Sequence, residues 1–131
     1  INLLIKDFKI AIVDFKDSQY IIDKIKDSRV GIFKGDLIQF KSWLTNQKCL
    51  IAPDSMAVHL AAFLKIPVVT LFGSQDPKLT SPVAEKSLVI TPEVACSHKR
   101  EHWRLCSKCM NSITPYRVYQ GICNFINKAN I

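Results

Sequence analysis

Asp54, Ser55 and His59 set a carboxylate, a hydroxyl and an imidazole close together in the run Asp54-Ser55-Met56-Ala57-Val58-His59-Leu60-Ala61-Ala62-Phe63-Leu64. His59 follows Ser55 by four residues and Met56 by three, so on a helix all three share one face, and helical side chains lean back toward the N-terminus. The imidazole is then aimed at the open helix end. Free N–H groups of the first turn, including those of Met56 and Ala57, combine there with the positive end of the helix dipole, a hydroxyl and the imidazole. Together they make an anion site suited to phosphate. The plainer alternative is that Asp54 only caps the helix and His59 is a satisfied core histidine. Spacing alone leaves both open.

The elements around this run are what place it. Apolar Cys49-Leu50-Ile51-Ala52 precedes it and Pro67-Val68-Val69-Thr70-Leu71-Phe72 follows, closed by Gly73. Short β-rich runs on either side of a helical pattern predict a βαβ unit, which crosses over right-handed and builds a parallel sheet. Ligands bind such sheets at the carboxyl ends of the strands, where Asp54 and Ser55 fall. Pro53 holds the chain out of helix until Asp54, the predicted N-cap. Ala57, Leu60, Ala61 and Leu64 supply a packing face, and Lys65-Ile66-Pro67 ends the helix.

The same alternation runs along the rest of the chain. A strand is predicted within residues 8–15, then a helix over Gln19 to Ile25, then a strand at Arg29 to Phe33. Lys34-Gly35-Asp36 reads as a turn and N-cap, leading into a helix to about Asn46 with Leu37, Ile38, Phe40 and Leu44 on its packing face. Gly35 is read first as turn chemistry. Residues 73–82 form a polar, proline-punctuated loop at a strand's carboxyl end, a place where loops carry function. Leu88-Val89-Ile90 predicts one more strand, and a helix over Tyr116 to Asn127, with Pro115 in its first turn, buries Val118, Ile122, Phe125 and Ile126. Five strands alternating with helices predict an α/β fold, a Rossmann-like parallel sheet with helices on both faces.

Cys96, His98, Cys106 and Cys109 offer four soft ligands, and the Cys-x-x-Cys end has zinc-knuckle spacing. Against a metal stand Lys99, Arg100, Arg104 and Lys108, which already crowd the stretch with positive charge. Free thiols in a packed loop are the favoured reading, ahead of zinc and of a disulfide. That basic cluster, with Trp103, is also suited to an acidic membrane surface.

The run Ala52-Pro53-Asp54-Ser55 through His59-Leu60-Ala61-Ala62, followed by Ile66-Pro67-Val68-Val69-Thr70-Leu71-Phe72-Gly73 and Asp76-Pro77, resembles the C-terminal domain of the family 9 glycosyltransferases, the heptosyltransferases of lipopolysaccharide assembly. Cys109-Met110 and Ile113-Thr114-Pro115-Tyr116-Arg117-Val118 resemble the end of the family's Cys-containing loop. The match is specific over about residues 49–77. Met56 departs from the pattern, because the family has Gly there, which lets the backbone approach the donor sugar nucleotide.

The resemblance implies a partial C-terminal, donor-binding half of a GT-B enzyme, lacking the N-terminal acceptor domain that supplies the family's catalytic base. It implies a nucleotide-diphosphate sugar donor of the ADP-heptose kind, a lipid-linked saccharide acceptor and no cofactor. Asp54 would hold sugar hydroxyls, Ser55 and the helix N-terminus the diphosphate, and His59 the diphosphate charge as it leaves. An acidic residue near the end of the first strand holds the ribose in the family, a role open to Asp14 or Asp17. Asp76, in the Gly-x-x-Asp-Pro stretch beside the donor site, is the single base candidate in this chain.

The chain's 131 residues suit one domain, and 48% hydrophobic residues suffice for a core. A charge of +7 favours anionic partners, yet no nucleic-acid-binding module is recognisable, so nucleic acid is not an expected partner. No apolar run is long enough to span a membrane and no signal peptide opens the chain, so the expected location is the cytoplasm, with contact at the inner membrane face. Ile1 opens the chain as if already within a domain, which predicts a fragment. Two rival functions stand beside the transferase: a nucleotide-binding or regulatory module without transferase activity, and a zinc-stapled interaction domain.

Overall fold

All five predicted strands form and all pair in parallel, but in two sheets rather than one. The computed structural model describes residues 1–13, 19–25, 27–94 and 107–131. In it β1 (Ile10–Val13) pairs with β2 (Val30–Phe33), and a second sheet has the order β3 (Leu50–Pro53), β4 (Val68–Leu71), β5 (Ser87–Ile90). Contacts group the chain into two compact units, Ile1–Leu44 and Thr45–Ile131, where the sequence reads as one domain.

In the first unit, a short 3-10 turn (Leu4–Lys6) precedes β1, helix α1 (Gln19–Lys24) lies between β1 and β2, and α2 (Leu37–Leu44) follows β2. Asp36 caps α2 as predicted. Its Oδ1 accepts from Gln39 N at 2.8 Å while Gln39 Oε1 accepts from Asp36 N at 2.9 Å, a reciprocal capping box. A Cβ on Gly35 would sit 2.7 Å from Gln39 Oε1 and 2.8 Å from Phe33 Cζ, so that glycine makes room for the cap and needs no phosphate to explain it. Phe33, Phe40 and Trp43 cluster, the Phe33 and Trp43 ring centroids lying 4.8 Å apart. The predicted packing face of α2 needs correction, because Phe40 and Leu44 are fully buried while Leu37 and Ile38 are 53% and 78% exposed. Leu37 shares the face of Phe40 and Leu44 but stands at the first, exposed position of the helix, and Ile38 lies off that face. Ahead of β2, Arg29 grips Asp27 through its guanidinium and its own N–H, which holds the Asp27 carboxyl down at about 2.

In the second unit β4 is the middle strand, and Val68, Val69 and Thr70 are all buried, as a parallel strand covered on both faces requires. Thr70 Oγ1 has no hydrogen-bond partner among the described residues, and nothing in the structure explains it. Helix α3 (Met56–Phe63) packs on β3 and β4. Its buried residues are Val58 and Ala61, not the predicted stripe, of which only Ala61 is fully covered.

The end of α3 is a Schellman motif. Lys65 N donates to Ala62 O and Ile66 N to Ala61 O, each at 2.9 Å, with Lys65 left-handed at φ 58° and Ile66 buried beneath. A side chain in that conformation is strained where glycine is not. Lys65→Gly is therefore expected to raise stability by about 0.5–1 kcal/mol, read as a higher urea midpoint at unchanged slope.

Past β4 the loop predicted to be irregular contains a short helix, α4 (Pro77–Thr80), and a second short helix, α5 (Lys108–Asn111), precedes α6 (Pro115–Ala129). Thr114 caps α6 by accepting from Arg117 N, and Pro115 takes its first position, as predicted. Only Ile122 of its four predicted core residues is fully buried; Val118, Phe125 and Ile126 are half-buried. Gly121 brings α6 close to β5, since a Cβ there would lie 3.3 Å from Ile90 Cδ1. Side chains hold α6 at both ends. Arg117 donates to Thr91 O and pairs with Glu93 at 3.2 Å, while Lys86 Nζ donates to Ala129 O at 2.8 Å. Among the described residues no helix is long and apolar enough to cross a membrane.

Candidate functional site

Because β3, β4 and β5 run parallel, their carboxyl ends at Pro53, Leu71 and Ile90 lie along one edge. Three segments leave from it: Asp54-Ser55 into α3, Gly73 through Thr80 after β4, and Thr91 to Glu93 after β5. This is the edge at which parallel sheets take ligands.

The structure overturns the prediction that Asp54 caps α3. Ser55 occupies the N-cap position in extended backbone, and no side chain caps the helix. Asp54 instead turns to α4, where Thr80 Oγ1 donates to its Oδ2 at 2.8 Å. Its Oδ1 lies 3.9 Å from His59 Nε2, and the Asp54 side chain is 20% exposed against 51% for His59. His59 is thus not a core histidine, and its imidazole stands beside Asp54 at the helix opening, as the spacing predicts. Met56 is the first helical residue and is 53% exposed; Ala57 is half-buried behind it.

The start of α3, like that of α5, has no side-chain cap, whereas α2, α4 and α6 each have one. Asp36 caps α2, Asp76 caps α4 by accepting from Lys78 N at 2.9 Å, and Thr114 caps α6. Around α3 a hydroxyl and a carboxylate are both at hand, yet neither satisfies the first-turn N–H groups. Val58 N donates to Ser55 O at 3.3 Å, and the Met56 and Ala57 N–H groups ahead of it have no side-chain cap; open N–H groups and the dipole at a helix start favour an anion in general.

Other predicted residues fall differently. The Asp76 carboxylate, named as a base candidate, is engaged as the cap of α4. Cys109 is buried and is in no disulfide, and the Cε of Met110, its neighbour in the chain, would lie 3.3 Å from a Cβ on Gly73. Helix α5 and the loop after β4 therefore meet at Gly73. Asp14, Asp17, Cys96, His98 and Cys106 lie outside the described residues, as do Lys99, Arg100, Trp103 and Arg104. Among the described residues no three metal-ligating side chains gather. Thr80 was not legible as a site residue, since nothing in Lys78-Leu79-Thr80 announces a partner 26 positions back in the chain.

Residues 21–109 match the family model for glycosyltransferase family 9 (heptosyltransferase). The chain belongs to glycosyltransferase family 9. The matched span takes in Asp54 to His59, Asp76, Thr80 and Cys109 of this family 9 chain. A solved structure, ADP-heptose LPS heptosyltransferase II of E. coli, is similar to it with a TM-score of 0.77 at 19% sequence identity. The likeness covers 99% of this chain and 40% of that one, so the family 9 chain spans under half the length of the solved enzyme. At this identity the likeness establishes the fold: parallel sheets with flanking helices, matching part of a GT-B structure. Comparison with curated proteins gives no match.

Proposed function

We propose that this chain is the donor-binding part of a heptosyltransferase, holding a nucleotide-diphosphate sugar of the ADP-heptose kind for transfer to a lipopolysaccharide-type acceptor. The observation that carries the reading is the uncapped start of α3 beside a carboxylate that is turned away from it. The first-turn N–H groups, with Ser55, take the diphosphate. Asp54 accepts from sugar hydroxyls, and His59 stands where charge grows on the departing diphosphate, so that transfer is helped by fixed donors and dipoles. A general base must reach the acceptor hydroxyl, and with Asp76 committed to a cap this role is assigned to an acceptor-side domain. Asp14 and Asp17 remain the proposed ribose contacts. We place the reaction at the cytoplasmic face of the inner membrane, with the basic residues near Trp103 against acidic lipid.

Calorimetric titration of the chain with ADP and with ADP-heptose tests this. Tighter binding of the sugar nucleotide is the expected result. Equal binding of both would favour the nucleotide-binding module, a reading supported by the Met56 side chain at the helix opening, where it narrows the approach to the backbone. Binding of neither would remove the donor assignment.

A further inference from the structure

The hydroxyl that reaches Asp54 comes from a well-held turn. α4 starts on the Asp76 cap with Pro77 in its first turn, Leu79 N donates to Asp76 O at 3.0 Å, and Ser81 N closes it onto Pro77 O at 2.9 Å. Pro82 beyond it is buried, so the turn is anchored on both sides of Thr80. By contrast, its neighbour Leu79 is 82% exposed, and packing of that residue does not fix the turn.

A carboxylate has two oxygens and about four lone-pair directions. At Asp54 the Oδ2 atom is already taken by Thr80 at 2.8 Å, while Oδ1 is 3.9 Å from His59 Nε2, beyond hydrogen-bonding distance. The carboxylate plane is therefore set from α4, and the oxygen left open is the one on the His59 side, next to the uncapped helix end.

We propose that Thr80 is a positioning residue that, through Asp54, determines selectivity for the sugar part of the donor over the bare nucleotide. The inference rests on the donor-binding reading above and adds a residue and a directed oxygen to it. Without the hydroxyl, the Asp54 side chain regains freedom about its terminal torsion, and Oδ1 no longer meets a sugar hydroxyl at fixed angle.

The test is calorimetry on the full chain and its Thr80→Val, Thr80→Ala, Thr80→Ser and Asp54→Ala variants, each with ADP and ADP-heptose, with urea midpoints recorded in parallel. Valine keeps the volume of threonine and alanine serves if valine perturbs folding; serine restores the donor. The expected result is a roughly ten-fold loss of the sugar nucleotide's advantage over ADP in the Val and Ala variants, with ADP binding unchanged and the advantage kept in the Ser variant. Folded Val and Ala variants that keep the full advantage while Asp54→Ala loses it would overturn the role of Thr80 and leave the donor reading intact. An advantage absent from the parent chain, or kept by Asp54→Ala, would overturn both, and the failure would be traced to the donor reading.

Discussion

Replacing Asp54 by alanine is expected to lower affinity for the sugar nucleotide by about 10–100-fold while leaving ADP within about two-fold of its original affinity. The magnitude follows from hydrogen bonds to an ionised acceptor, each contributing about 1.5–3 kcal/mol when its partner cannot be replaced by water. Asp54 is 20% exposed, so the carboxylate is partly withdrawn from solvent and a sugar hydroxyl bound to it is shielded. Diphosphate binding falls on the backbone of the α3 first turn, which the substitution does not alter. Asp54→Asn keeps the shape and one acceptor oxygen but loses the charge, and an intermediate loss is expected. Isothermal titration separates these outcomes; an equal fall in affinity for both ligands would show that the substitution disturbed the helix start rather than a sugar contact.

Phe72→Ala is expected to cost about 3–5 kcal/mol of stability, the range for removing a fully buried aromatic ring. Phe72 is 0% exposed, directly follows β4, and its N–H donates to Ile90 O at 2.9 Å. Alanine keeps that backbone bond but leaves a cavity under the point where the chain turns into Gly73 and the loop that ends in Thr80. Against a total of about 5–15 kcal/mol for a domain, the loss is severe. Urea unfolding followed by circular dichroism checks it, and a shift under about 1 kcal/mol would mean the neighbours collapse into the space.

Much of this arrangement was written locally. The βαβ unit around Asp54 is bounded by apolar runs and prolines, and the Asp36 cap and Pro115 helix start are short-range signals, all of which the structure bears out. The sequence misleads where a distant partner outbids a near one. Asp54 is well placed to cap its own helix, yet a hydroxyl on α4 takes it, and no local rule reports that. The buried stripe of α3 was missed for another reason: Ala57, Val58, Leu60, Ala61, Ala62 and Phe63 leave little polar contrast by which to choose a face. α4 carries a cap signature, Asp76 before Pro77, but four residues make too short a pattern for periodicity to mark a helix. Which sheet β1 and β2 join is a matter of long-range pairing, and strand composition is silent on it.

The two-ended hold on α6 bears on how the molecule opens. Lys86 and Thr91 flank β5, and they fasten the last and first turns of α6, so strand and helix are tied as one antiparallel pair with Gly121 pressed between. Neither can fray far without drawing on the other. Amides of β5 and α6 are therefore expected to exchange with solvent as one cooperative block, which native-state hydrogen exchange checks. The Thr91–Glu93 segment at the carboxyl edge of the sheet, held by Arg117, is then expected to move with the fifteen-residue helix rather than as a free loop.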